Sequence, residues 1–230
     1  MKYIFVALFY FLNMSFSFSQ GENLKDIDSL YKEDHFYASI TYNLLGKAPS
    51  GISQSGFSLG FHLGFIKDIP INKDRNTAIG IGLGYSINSF NQNLFVEKNN
   101  ANSFIYKTID DKNTFSKNKF SNHLLEVPIE FRWRTSTPSS YQFWRIYTGF
   151  KFGYVFTNAL KYEGDLGRLK HYNVRDFNKF QYGLTLSAGY NTWNVYVYYA
   201  LNPIFSNNAM LENEKIEMNA VKIGLIFYIL

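Results

Sequence analysis

The sequence predicts an all-β chain, an eight-stranded antiparallel transmembrane β-barrel of outer-membrane type, and three observations carry that reading. Aromatic residues make up 19% of the 230 residues and charged residues only 18%, against roughly a quarter charged in an ordinary soluble domain. Mean hydropathy is nevertheless −0.19, and past residue 18 no apolar run reaches the about 18 residues that a membrane helix requires. Apolar residues instead recur at every second position, in runs of about 9–13 residues. A strand tilted by roughly 45° needs about 9–11 residues to cross the hydrocarbon, whereas soluble strands run nearer 5–6. So many rings with so few charges need an apolar surrounding, and alternating strands supply one face for it.

The elements follow in chain order. Lys2, the mostly apolar Tyr3 to Met14, and the small residues Ser17 and Ser19 form a secretory signal over residues 1–19, cleaved before Gln20. Polar residues 20–34 read as a periplasmic lead-in, and residues 35–230 as the barrel. A weak opening strand lies around 36–44. In 57–66, Phe57, Leu59, Phe61, Leu63 and Phe65 oppose Ser58, Gly60, His62 and Gly64; in 78–88, Ile79 to Ile87 oppose Gly80, Gly82, Gly84, Ser86 and Asn88. Residues 125–134 set Leu125, Val127, Ile129, Phe131 and Trp133 against Glu126, Pro128, Glu130, Arg132 and Arg134. Further strands fall at 144–156, 181–190, 195–202 and 218–230, making an even total of eight. With the N-terminus in the periplasm, the connectors at 67–76, 135–142 and 191–194 become periplasmic turns. Those at 45–55, 92–122, 157–177 and 204–216 face outward, and the outer set holds the two longest, the asymmetry expected of such barrels. The Asn/Lys-rich stretch 97–120 reads as a flexible outer loop whose Phe104, Ile105, Tyr106 and Phe115 offer an edge to a partner.

Periodicity alone leaves open which face is wet. A soluble barrel puts its apolar face inward, but here the polar face is chiefly Gly, Ser, Thr and Asn, too small and uncharged for a solvated exterior. An eight-stranded lumen holds little beyond its own side chains, which suits that face. The rings then face lipid, several near strand ends where interfacial girdles lie. This orientation sends Glu126, Glu130, Arg132, Arg145, Lys151 and Lys222 into one narrow interior. Buried charge is costly unless paired, so a lumenal ionic network is expected, with Glu126 and Glu130 meeting Arg145, Lys151 or Lys222.

No catalytic, cofactor-binding or metal-binding residue is assigned. Cys is absent, which removes disulfides, thiol catalysis and thiolate metal sites. His35, His62, His123 and His171 show no spacing that gathers a triad or zinc site. His62, on the lumenal face, reads as a hydrogen-bonded filler. The glycines of residues 80–84 sit at strand spacing with no helix after them, so they do not form a dinucleotide loop. Basic residues are scattered, which argues against nucleic acid, and no small-molecule substrate is indicated; the partner expected from composition is outer-membrane lipid.

Residues 49–94 (PSGISQSGFSLGFHLGFIKDIPINKDRNTAIGIGLGYSINSFNQNL), LLEVPIEFRWRT at 124–135 and YTGFKFGYVF at 147–156 resemble the PorT family of outer-membrane barrels from the Bacteroidota. The resemblance runs from about residue 36 to the C-terminus, most specifically over 54–94. It implies a non-enzymatic component of the type IX secretion system, partnered by other components of that machine and supporting cargo export and, where present, gliding motility. The alternatives are a general surface barrel acting as an adhesin or structural protein and, third, an outer-membrane lipid-modifying enzyme.

Overall fold

The computed structural model describes residues 33–99, 103–109, 113–136 and 142–229, so the expected signal segment and nearly all of the expected lead-in lie outside the described residues. The strands are β1 (His35–Gly46), β2 (Leu59–Pro70), β3 (Thr77–Asn91), β4 (Leu94–Lys98), β5 (Phe104–Thr108), β6 (Phe115–Arg134), β7 (Trp144–Gly164), β8 (Gly167–Tyr172), β9 (Phe180–Tyr190), β10 (Trp193–Ala200), β11 (Met210–Leu211), β12 (Glu214–Lys215) and β13 (Asn219–Ile229). Eight of them pair in the order β6-β3-β2-β1-β13-β10-β9-β7, and β6 pairs with β7 to close the ring. All eight pairings are antiparallel. The eight-stranded closed barrel is therefore the fold, and closure leaves none of its eight strands at an edge of the ring.

The expected alternation sets the faces. In β2 the odd residues Leu59 to Ile69 point outward while His62, Ile66 and Asp68 are buried. In β6, Leu125 to Trp133 point outward and Glu126, Glu130, Arg132 and Arg134 are buried. The lumenal glycines leave room for large neighbours. A Cβ on Gly64 would come 2.6 Å from the Tyr37 ring, one on Gly80 2.8 Å from Arg132, and one on Gly84 would strike the Tyr37 hydroxyl. Pro128 lacks an N–H for the ladder, and the β3–β6 pairing skips the two positions opposite Pro128 and Val127.

One end carries three short connections, among them the two-residue turn Asn191-Thr192 between the paired Tyr190 and Trp193, with Asn191 at φ 53°. The other end carries long excursions, and here the structure corrects the sequence reading. Stretch 97–120 contains β5 and the first turn-ward residues of β6, while 157–177 contains the end of β7 and β8. These are paired strands: β6, β7 and β8 continue the wall past the barrel, and β12-β11-β5-β4 form a separate small sheet. Pairing satisfies the backbone without needing hydrophobic alternation, and for that reason periodicity missed these segments. A bulge lies between His123 and Leu124 in the β6–β7 register. It resets β7, so that even residues face out below it (Tyr154, Phe156) and are buried above it (Asn158, Leu160, Tyr162).

Candidate functional site

The barrel interior gathers the chain's polar chemistry, and it divides into three layers. At the short-turn end, β2 and β6 bring Asp68 against two arginines. Asp68 accepts from Arg134 at 3.0 and 2.8 Å and from Arg132 at 3.1 Å. Arg132 Nε also donates to Glu130 at 3.3 Å, and its guanidinium lies 4.5 Å from the Tyr147 ring centre. Glu33, just ahead of β1, reaches Arg134 at 3.7 Å. Burial raises the Glu33 carboxyl above its ordinary range, with Arg134 opposing.

The middle layer centres on Glu126. Its carboxylate lies 3.2 Å from Lys151 Nζ and 3.3 Å from His62 Nδ1, and it accepts from Ser86 Oγ at 2.7 Å. Lys222 points into the same layer, 4.9 Å from the Tyr198 ring centre, and Lys151 sits over Tyr196 at 5.0 Å. Thr41 Oγ1 stands 3.4 Å from the other nitrogen of His62. Hydroxyl, imidazole and carboxylate thus stand in line, but Thr41, His62 and Glu126 are each no more than 2% exposed. The arrangement is a buried hydrogen-bonded chain with no open face toward a substrate.

Of the six residues expected in the network, Glu126 meets Lys151 and Glu130 meets Arg132. Arg145 and Lys222 have no carboxylate within 4.0 Å among the described residues. Arg145 lies instead over Phe143 at 4.5 Å and Tyr228 at 5.5 Å, an electrostatic contact that tolerates dry surroundings. Sequence reasoning missed Asp68, Arg134 and Glu33 as members. The signal for the first two was parity, since Asp68 shares the lumenal face with His62 and Arg134 shares it with Arg132. The apolar alternation fades at Ile66 while the strand runs on to Pro70, which had put Asp68 in a turn.

The third layer closes the long-loop end with an apolar core absent from the sequence reading. Phe90 stacks on Phe120 at 4.8 Å, Phe120 meets Phe205 at 5.4 Å, and Phe177 meets Phe205 at 4.6 Å. Leu94, Ile204, Ile216 and Met218 are buried with them. Tyr106 from β5 joins this core and donates to Asp176 at 2.8 Å; burial, then the adjoining carboxylate, pushes its phenol up.

The outer wall is the reverse of the lumen. Leu83 is 64% exposed, Phe36 63%, Leu63 59% and Val195 55%, a surface far too apolar for a soluble monomer. The family described as outer membrane protein beta-barrel domain matches residues 15–206. The chain belongs to this outer-membrane barrel family. No curated protein matches the chain.

For an outer-membrane barrel the exposed wall is the lipid contact. All three tryptophans, Trp133, Trp144 and Trp193, point outward at the short-turn end, with Trp144 on Tyr190 at 5.3 Å and Trp193 on Phe227 at 5.5 Å. Tyr85, His123 and Phe156 form the opposing aromatic ring segment, Tyr85 and His123 sharing a 2.7 Å hydrogen bond. From Leu125 to Trp133 the strand rises about 27 Å at ~3.4 Å per residue, or about 21 Å of height at a tilt of ~40°, close to the ~25 Å apolar band of such barrels. Short turns mark the periplasmic end, so the apolar core caps the extracellular mouth. Among the described residues no cluster of His, Asp and Glu is suited to a metal ion.

Proposed function

We propose that this outer-membrane barrel is a non-enzymatic accessory component of the type IX protein secretion system. The observation that carries the reading is the resemblance of residues 49–94 to the PorT family, and the structure fits an accessory rather than a conducting role. The lumen is filled by ion pairs and tyrosines, and its outer mouth is closed by the Phe90–Phe120–Phe205 core, so an exported polypeptide has no path through it. Partners would then engage the wall or the extracellular strands.

The deciding experiment is deletion of the gene. A secretion component predicts cargo held in the periplasm with its C-terminal targeting domain still attached, restored by the full-length gene. Normal cargo export in the deletion strain removes this reading. The second reading, a surface barrel acting as adhesin or structural protein, draws on the small sheet β12-β11-β5-β4 at the long-loop end, which exposes Ile105 at 39% and Met210 at 38%. It predicts intact secretion and altered surface attachment. Thr41–His62–Glu126 is the only hydroxyl–imidazole–carboxylate chain among the hydrogen bonds of the described residues, and its burial argues against a lipid-modifying enzyme; unchanged lipid A mass in the deletion strain would agree.

A further inference from the structure

Where β6, β7 and β8 continue past the barrel, three lysines fall into direct cross-strand register. Lys119 of β6 pairs with Lys161 of β7, and Lys161 pairs with Lys170 of β8. Residues so paired have Cβ atoms about 4.5–5.5 Å apart, and like charges there destabilise a sheet. The bulge at His123 creates the ladder, because only above it do the odd residues of β7 face outward and carry Lys161 beside Lys119.

The neighbouring acid does not offset these charges. Glu163 is engaged by Lys117 at 3.7 Å and Arg168 at 2.6 Å, which adds two more cations to the same face. Among the described residues no carboxylate lies within 4.0 Å of Lys119, Lys161 or Lys170; Lys170 rests over the Tyr172 ring at 4.8 Å. A surface cleft of about 320 Å³ is lined by Lys117, Lys161, Arg168 and Lys170, with Glu163, Tyr162 and Leu169 completing its walls.

We infer that this face binds the phosphate of an anionic lipid headgroup in the outer leaflet. The lipid, rather than free phosphate, follows from position. The ladder continues the lipid-facing stripe of β6, which runs from Leu125 through His123 and Ser121 to Lys119. Lys119 stands four residues above the His123–Tyr85–Phe156 aromatic segment, about 14 Å along the strand and about 10 Å of height at a tilt of ~40°. That is headgroup depth, within reach of a flexible lysine stem. The inference is independent of any secretion role.

The test uses the exported, mature barrel in phosphocholine micelles, with retained lipid read by native mass spectrometry after addition of phosphatidylglycerol or phosphatidylcholine. Each lysine near an anionic surface contributes about fivefold, so Lys119→Gln/Lys161→Gln/Lys170→Gln should lose about 100-fold of the preference for phosphatidylglycerol. The control Lys107→Gln/Lys215→Gln, on exposed lysines of the small outer sheet, should retain it. Removing like charges leaves the barrel folded, which its heat-dependent gel mobility verifies. Equal phosphatidylglycerol retention by the triple variant overturns the inference, as does equal loss in the control. No wild-type preference over phosphatidylcholine, or full displacement by millimolar inorganic pyrophosphate, also overturns it.

Discussion

Glu126 offers the sharpest test of the inward-facing network. Its carboxylate is 2% exposed and lies 3.2 Å from Lys151 and 3.3 Å from His62. At an effective dielectric near 20, a charge pair at that separation is worth about 5 kcal/mol before desolvation is subtracted. Glu126→Leu leaves Lys151 buried with an uncompensated charge, and breaking a buried pair in this way costs about 3–5 kcal/mol. Lys151→Met in the same molecule removes the stranded cation, and apolar replacement of a whole buried pair is often neutral. The double variant should therefore lie within about 1 kcal/mol of wild type, giving a coupling of at least about 2 kcal/mol in a double-mutant cycle. Urea unfolding of the barrel in lipid vesicles, followed by fluorescence of the three lipid-facing tryptophans, measures each corner. If Glu126→Leu lost less than about 1 kcal/mol, or if the double variant lost the sum of the singles, the ionic interior would not be holding the barrel together.

Three further outcomes are expected. Ile129→Arg, midway along the lipid-facing stripe Leu125–Trp133 of β6, should cost about 2–4 kcal/mol in vesicles, and an unchanged unfolding midpoint would put that face elsewhere than in lipid. Gly64→Val drives methyl groups into the Tyr37 ring and should cost about 1–3 kcal/mol, recovered in part by Tyr37→Ala; no recovery in the pair would deny the steric cause. Burial, then Lys98, lowers the His171 imidazole, so the folded state binds its proton less readily than the unfolded chain. That contribution is complete above about pH 6.5 and is lost as pH falls. Amide protection of β8, corrected for intrinsic exchange, should drop between pH 7 and pH 5 in the wild type and stay level in His171→Gln; the same drop in both would exonerate His171.

Much of the barrel was legible because one residue pattern answers to one geometry. Alternation in Phe57–Phe65, Ile79–Ile87 and Leu125–Trp133 assigned each side chain to a face, and the structure keeps those faces. Parity likewise placed Glu126, Glu130 and Lys222 inside. Pairing partners were less legible. A residue's face follows from its own strand, but its neighbours depend on register between strands, and register is set by bulges and turn lengths remote in sequence. Hence Glu130 meets Arg132 of its own strand rather than a lysine across the barrel, and Asp68 enters from a strand end with no apolar rhythm to announce it.

The extracellular half was the least readable part. Leu94, Phe120 and Ile204 sit in segments without apolar alternation, Met218 opens the last alternating run, and their burial comes from loops folding over the mouth, a long-range contact that no local period encodes. The Lys119–Lys161–Lys170 ladder depends on a single inserted residue at a bulge. The amino-acid order by itself determined a closed wall of tilted strands with the apolar stripe outward and glycines and charges inward, because hydrocarbon admits no other arrangement of such strands. Which charges touch, what seals the outer mouth and where the outward lysines align were decided only by tertiary register, since those contacts join residues tens of positions apart.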